Sequence, residues 1–268
     1  MSPSLRPRLP EHAEATIGRF LRSQVPAGSG VVVGLSGGVD SALCARLARD
    51  ALGPKAVLGV ALPDEGPSRD AVEEAVEYAR ALGIASRVVP VGPIVAALRA
   101  QLPALQDPVD LGNATARVRM IVLYALAREA GWRVLGTGNK SEILLGYFTK
   151  YGDGGVDLLP IGDLYKTEVW ELAERLGLPE SIRTRVPTAG FWPGQTDEGE
   201  LGLSYAEVDR ILRGFEELRS EEEIARLTGC SAEAIAGVRR RIELHRHKRR
   251  TPPIPKLSLR TVGLDWRD

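Results

Sequence analysis

The sequence predicts an α/β fold, a parallel sheet with helices on both faces, continued by a helical C-terminal extension. Three observations carry that expectation. Residues 31–35 form an apolar, β-branched run of interior-strand length, followed by the turn Ser36-Gly37-Gly38-Val39-Asp40-Ser41 and by apolar residues at helical spacing from Ala42 to Leu52. Short apolar runs then alternate with helical patterns, the signature of right-handed strand–helix–strand units. Beyond Leu164 the strand pattern stops and helical periodicity takes over.

Residues 1–10 carry three prolines and are expected to form a loose arm. A helix over Glu11 to Gln24 should follow, packed against the sheet edge. After the first strand and helix, Ala56 to Leu62 reads as a second strand, Ser68 to Leu82 as a helix and Ser86 to Val91 as a third strand. Asn113 to Ala130 has the pattern of a longer amphipathic helix, and Val134 to Thr137 of a fourth strand leading into Gly138-Asn139-Lys140-Ser141-Glu142. Tyr165 to Gly177 is a helix ended by glycine, Pro187 to Gly202 a Gly/Pro-rich loop, and three shorter helices are expected up to about His247. There is no internal repeat and no low-complexity linker. The expected organisation is one domain over 1–268, with a sheet core at about 25–165, a helical part at about 165–250 and a loose tail at 251–268.

The 268 residues, 44% hydrophobic, are enough for a sizeable core. Thirty-five basic and 35 acidic residues cancel, so nothing overall points to nucleic acid or an anionic membrane. The two cysteines, Cys44 and Cys230, have neither metal-ligand spacing nor a disulfide framework, which fits a reducing compartment. No apolar run approaches the ~18 residues of a membrane span and the N-terminus lacks a signal-peptide core. A cytoplasmic protein is expected.

The glycine-rich turn carries the chemistry. Gly37 and Gly38 let backbone N–H groups approach an anion, and the helix that follows adds its positive end. A carboxylate such as Asp40 beside bound phosphates requires a cation between them, so the turn implies a metal as well as a nucleotide. The pattern lacks the Lys that precedes Ser or Thr in the common phosphate loop. It resembles the signature of the ATP pyrophosphatases, which cleave ATP between the α and β phosphates and transfer AMP to an acceptor.

The acceptor is written further on. Glu142 starts a helix after a strand, where it could share a divalent ion with Asp40 or serve the helix dipole. The run Lys150-Tyr151-Gly152-Asp153-Gly154-Gly155 is too glycine-rich for regular structure and reads as a loop able to fold around a ligand or as a surface hairpin. These segments, with Leu164 to Trp170, Pro187-Thr188-Ala189-Gly190, Gly194 to Glu198 and His247-Lys248-Arg249, resemble the NAD synthetases in order and spacing from about Glu11 to Pro253. The resemblance implies a Rossmann-like, adenine nucleotide alpha hydrolase-like fold. It implies that Gly34, Leu35, Ser36, Gly37, Gly38, Val39, Asp40 and Ser41 hold the ATP phosphates. Thr137, Lys166 and Thr188 would contact ATP. Asp40 and Glu142 would bind Mg²⁺, and with Lys166 form the catalytic set. Arg117, Lys150, Asp157, His247 and Lys248 would hold deamido-NAD. Gly138 to Glu142 departs from the Asp-His-Ala-Ala-Glu of some members and matches a branch that includes glutamine-dependent and archaeal-type enzymes.

The implied reaction is ATP-dependent amidation of deamido-NAD through an acyl-adenylate, with ammonia as nitrogen donor and Mg²⁺ as cofactor. A base for ammonium is expected, with Asp157 and Asp197 both available. A homodimer built partly by the helix near Asn113 to Ala130 is implied, its residues Met120, Ile121, Leu123, Tyr124 and Leu126 being apolar around much of the circumference. Neither cysteine has the context of an activated thiolate, so free ammonia is expected, with a separate glutaminase as a possible partner. Three rival readings stay open: another acceptor on the same loop chemistry, a nucleotide sensor without turnover, and DNA binding. The last rests on a helix-turn-helix outline over Ser220 to Arg250 and on seven Lys or Arg against one Glu in residues 239–250. The five Glu of residues 216–223 argue against it.

Overall fold

The computed structural model describes residues 5–64, 69–192 and 194–262. Four parallel strands, β1 (Val31–Gly34), β2 (Val57–Ala61), β3 (Ala85–Val88) and β4 (Arg133–Leu135), lie in the order β3-β2-β1-β4. They are shorter than the apolar runs suggest. Hydrogen bonds nevertheless continue past their ends, Leu35 N–H donating to the Val60 carbonyl at 2.8 Å and Val89 N–H to that of Ala61 at 2.9 Å.

One face of the sheet is covered by α2 (Val39–Leu52) and α3 (Arg69–Ala81), with α1 (Ala13–Gln24) and α7 (Lys166–Arg175) completing that layer. Their shared core is aliphatic, with Leu21, Leu43, Leu47, Val169 and Leu172 buried. The other face is covered by α4 (Gly92–Gln101) and α5 (Pro108–Ala130), which bury Val95, Val118 and Ala127 with Val32, Val60 and Val134. A third cluster joins α6 (Lys140–Leu145), α10 (Tyr205–Glu216), α11 (Glu221–Thr228) and α12 (Ala232–Leu244). The short helices α8 (Glu180–Arg183) and α9 (Asp197–Leu201) lie between α7 and α10.

Several expectations are corrected. The described part of the N-terminal arm is irregular but not loose, since Leu5 seals the C-terminal helical cluster and Leu9 joins the sheet core. Helix α1 packs on α2 and not on the sheet edge. Helix α4 was not foreseen, and α5 begins five residues before Asn113 because Asp107 caps it, accepting from Val109 N–H at 2.8 Å with Pro108 at the first helical position. The loop from Pro187 closes earlier than Gly202, because Thr196 caps α9 through Gly199 N–H. Ser68, Pro193 and residues 1–4 and 263–268 of the expected arm and tail lie outside the described residues.

The strand order places the topological switch at β1. From β1 the chain runs outward through β2 to β3, then returns through α4 and α5 to β4 on the other side of β1. Ligands in open parallel sheets bind at such a point, beyond the carboxyl ends of the strands. The turns after Gly34 and Leu135 open there together.

Candidate active site at the switch point

The turn from β1 into α2 suits an anion. Gly37 takes φ +80°, a conformation side chains resist, and Gly38 sits at the N-cap of α2 without a side chain to cover the helix end. Ser41 Oγ accepts from Ser36 N–H at 3.2 Å and donates to the Gly38 carbonyl at 3.0 Å, fixing the turn.

Asp40 does not cap its helix. Its Oδ2 accepts from Lys166 Nζ at 2.5 Å and its Oδ1 from Asn139 Nδ2 at 2.9 Å, so the first turn of α2 is joined to the loop after β4 and to α7. Glu142 does two things. Its Oε2 closes a capping box with Asn139 N–H, and its Oε1 lies 3.4 Å from Lys166 Nζ. A cation at a helix start faces the wrong end of the dipole, and the anions that compensate Lys166 are these two carboxylates. The lysine is 2% exposed. Burial alone would lower its pKa, but Asp40 and Glu142 outweigh that and raise it, so it stays charged. Burial pushes Glu142 up, the Lys166 ammonium pulls it back, and Asp40 pushes it up again.

That balance bears on the metal. Asp40 and Glu142 bring two carboxyl groups to one ammonium, with Asp197 nearby, and the Glu142 carboxyl that burial pushes up to about 8 is the one a bound cation would hold ionised. Among the described residues no group of three or more His, Cys, Asp or Glu forms a metal cage. Two carboxylates with substrate phosphates completing the shell are the usual way to hold Mg²⁺, so the donor set fits that ion.

A buried aspartate holds this centre in place. Asp209 of α10 accepts from Ser141 Oγ at 2.5 Å and from Thr167 N–H at 2.8 Å, while Ser141 Oγ accepts from Lys166 N–H at 2.9 Å. The starts of α6 and α7, which carry Glu142 and Lys166, are thereby tied to α10. Asp197 sits on the same side, accepting from Tyr205 Oη at 3.0 Å, with Lys166 Nζ 5.3 Å above the Tyr205 ring. It is 4% exposed and burial raises its carboxyl above the usual range, opposed by the Lys166 charge and the Tyr205 and Tyr147 hydroxyls. Its Oδ1 is buried with no hydrogen-bond partner of good geometry.

The residues expected to hold deamido-NAD fall into two places. Arg117, Lys150, His247 and Lys248 gather around residues 146–150. Lys150 Nζ donates to the His247 carbonyl at 2.9 Å, Lys248 Nζ donates to those of Gly146 and Phe148 at 2.7 Å each, and the exposed Arg117 helps to lower the pKa of the half-buried Lys248. Tyr151 in this loop has φ +61°, a strained value for a tyrosine. Asp157 stands apart at β4, accepting from Val134 N–H at 2.7 Å and Tyr124 Oη at 3.0 Å.

Thr137 lies just past β4, and Thr188 is exposed in the loop after α8, its Oγ1 accepting from Gly190 N–H at 3.0 Å. Phe191 of that loop rests where a Cβ on Gly112 of α5 would be. Asn139, Ser141, Asp209 and Tyr205 belong to the site and were not picked out individually from the sequence. The Asn139-to-Glu142 spacing of a capping box was readable; Asp209 pairs across 68 residues and left no local signal.

Part of the basic cluster behind the helix-turn-helix reading is engaged within the chain. Arg249 donates to the Ile143 and Leu144 carbonyls, His245 Nδ1 lies 2.8 Å from that of Leu145, and Arg239 pairs with Glu221. Arg249 and His245 serve the carbonyl end of α6, where cations are favoured.

Comparison with known proteins gives a consistent picture. The family model described as NAD synthase matches residues 14–252. The chain is 49% identical over 253 residues to the NH(3)-dependent NAD(+) synthetase of Methanosarcina acetivorans, covering 92% of this chain and 98% of that protein. The NMN synthetase structure from Francisella tularensis aligns with TM-score 0.82 and 33% identity over 94% of this chain and 100% of that one. The NH3-dependent NAD synthetase structure from Campylobacter jejuni aligns with TM-score 0.78 and 31% identity over 92% and 98%.

Proposed function

The chain belongs to the NAD synthase family, and from that premise we propose that it amidates deamido-NAD to NAD with ATP and ammonia, releasing AMP and pyrophosphate. The observation that carries this reading is the meeting of Asp40, Glu142 and Lys166 beside the glycine turn at the switch point. The nicotinate carboxylate attacks the α-phosphorus of ATP, giving an acyl-adenylate and pyrophosphate. Ammonia then displaces AMP.

Negative charge builds on phosphate oxygens in the first step. The N–H groups of Gly37 and of Val39 to Ser41 in the first turn of α2, with the charged Lys166, are preorganised to meet it. Bound Mg²⁺ would be held by Asp40 and Glu142 and would supply further positive charge to the phosphates. Ammonium must lose a proton before it attacks. Of the two aspartates available, Asp197 is supported as the base, since among the described residues its buried Oδ1 has no partner of good geometry and it lies beside Lys166 and the Tyr147 and Tyr205 hydroxyls, whereas both oxygens of Asp157 are engaged at β4. Arg117, Lys150, His247 and Lys248 are proposed to bind deamido-NAD along the 146–150 loop, with Asp157 closing its β4 side, and Thr137 and Thr188 to contact ATP.

The reading includes a homodimer through α5, free ammonia or a separate glutaminase as nitrogen source, and a cytoplasmic location. Among the described residues no helix is long and apolar enough to cross a membrane. Cys44 is buried and its thiol is pushed up by burial and then by Asp40, the opposite of what a glutaminase nucleophile needs.

Purified protein with deamido-NAD, ATP, Mg²⁺ and ammonium should yield NAD, AMP and pyrophosphate in equal amounts. ADP and phosphate as products would overturn the reading. The likeness to an NMN synthetase sets the second arm, nicotinate mononucleotide in place of deamido-NAD, which should be the poorer acceptor.

A further inference from the structure

Arg185 lies in the stretch between α8 and Pro187, outside every segment so far given a role. Its guanidinium rests directly on the glycine turn, with Nη1 and Cζ filling the space that a Cβ on Gly37 would need. Its Nη2 is paired with Glu74 of α3. The carbonyl of Ala71, also on α3, is 3.1 Å from the same Cβ position, so arginine and α3 together flank the turn that would receive the phosphates.

The two cations of this site differ in how free they are. Lys166 is 2% exposed and held by two carboxylates. Arg185 is 32% exposed, and among the described residues its ion pair is with a side chain that is itself 22% exposed. A phosphate anion offers a guanidinium more negative charge than a single carboxylate and can accept two parallel N–H bonds. We propose that Arg185 binds the β and γ phosphates of ATP, and the pyrophosphate they become, by exchanging Glu74 for the polyphosphate. Glu74 parks the guanidinium over the turn until the nucleotide arrives. Because Arg185 is three residues from Thr188, this exchange ties phosphate occupancy to the position of the loop carrying Phe191 and Trp192.

The inference rests on the ATP-cleaving reading of the site, and the test separates the two. Wild type, Arg185→Gln, Arg185→Lys and Glu74→Gln are assayed for NAD formation, and pyrophosphate binding in Mg²⁺ is measured by calorimetry. If wild type forms no NAD from ATP, the functional reading falls. With wild type active, Arg185→Gln should raise KM for ATP and the pyrophosphate Kd by about tenfold or more, with Arg185→Lys in between. KM for deamido-NAD should stay within about twofold. Glu74→Gln should tighten pyrophosphate binding by about twofold or more, since its competitor is gone. A purely structural ion pair predicts equal loss of stability in Arg185→Gln and Glu74→Gln with unchanged Kd, and that result overturns the inference. Should Arg185→Gln not fold, Glu74→Gln decides alone: unchanged or weaker pyrophosphate binding overturns it.

Discussion

Lys166 is a buried ammonium whose charge is sustained by Asp40 and Glu142, and the three groups are one electrostatic unit. Removing one carboxylate leaves the lysine under-compensated and the Mg²⁺ donor set incomplete. Asp40→Asn and Glu142→Gln should each lower kcat by about a hundredfold or more while circular dichroism shows the fold retained. Near-normal turnover at saturating Mg²⁺ would reduce both residues to structural partners of Lys166 and Asn139. Asp197 makes a different prediction, because it is assigned to the second step only. Asp197→Asn should keep ATP–pyrophosphate exchange in the presence of deamido-NAD and lose about 10²–10⁴-fold in NAD formation at neutral pH. Raising the pH supplies more free ammonia and should recover part of the rate. Equal loss in exchange and amidation would show that Asp197 serves the nucleotide and not ammonia.

Elements bring these residues together, and this is where sequence reading reached its limit. The turn Ser36 to Ser41 was legible because its chemistry and its strand and helix are contiguous. Lys166 was legible through the family resemblance and as a cation at a helix start, but its pairing was not, since the carboxylates that compensate it arrive from α2 and α6. Asp209 was not legible at all: its partners Ser141 and Thr167 are brought to α10 by packing of the C-terminal helices. Helix α4 was missed, although proline at its second position is compatible with a helix start. The loop from Pro187 is held by a few contacts, Asp197 N–H to the Pro187 carbonyl at 3.0 Å, Phe191 N–H to Gln195 Oε1 at 2.6 Å, and Phe191 on Gly112. Such a segment can close over substrate and exclude water from the adenylate. Hydrogen exchange over residues 187–196 should slow when ATP and deamido-NAD are bound. Identical exchange with and without substrates would contradict a lid.

At the scale of the molecule, α5 shows a face that one chain leaves uncovered. Ile121 is 60% exposed and shares that face with Arg117 and Ala125, whereas Leu123, Tyr124 and Leu126, also expected at the contact, pack against the sheet core. A two-fold contact through this face would bring a second chain beside the residues proposed to hold deamido-NAD. Sedimentation at micromolar concentration should give a dimer, and Ile121→Asp should shift it toward monomer while raising KM for deamido-NAD. A fully active monomer would remove the partner from the site.

In the proposed reaction ATP is consumed in making an acyl-adenylate at the switch point of the sheet. Deamido-NAD labelled with ¹⁸O in its nicotinate carboxylate tests it directly, because the attacking oxygen leaves with AMP when ammonia enters. One labelled oxygen should appear in AMP for each NAD formed, and none in pyrophosphate. Unlabelled AMP, or label in pyrophosphate or phosphate, would contradict it.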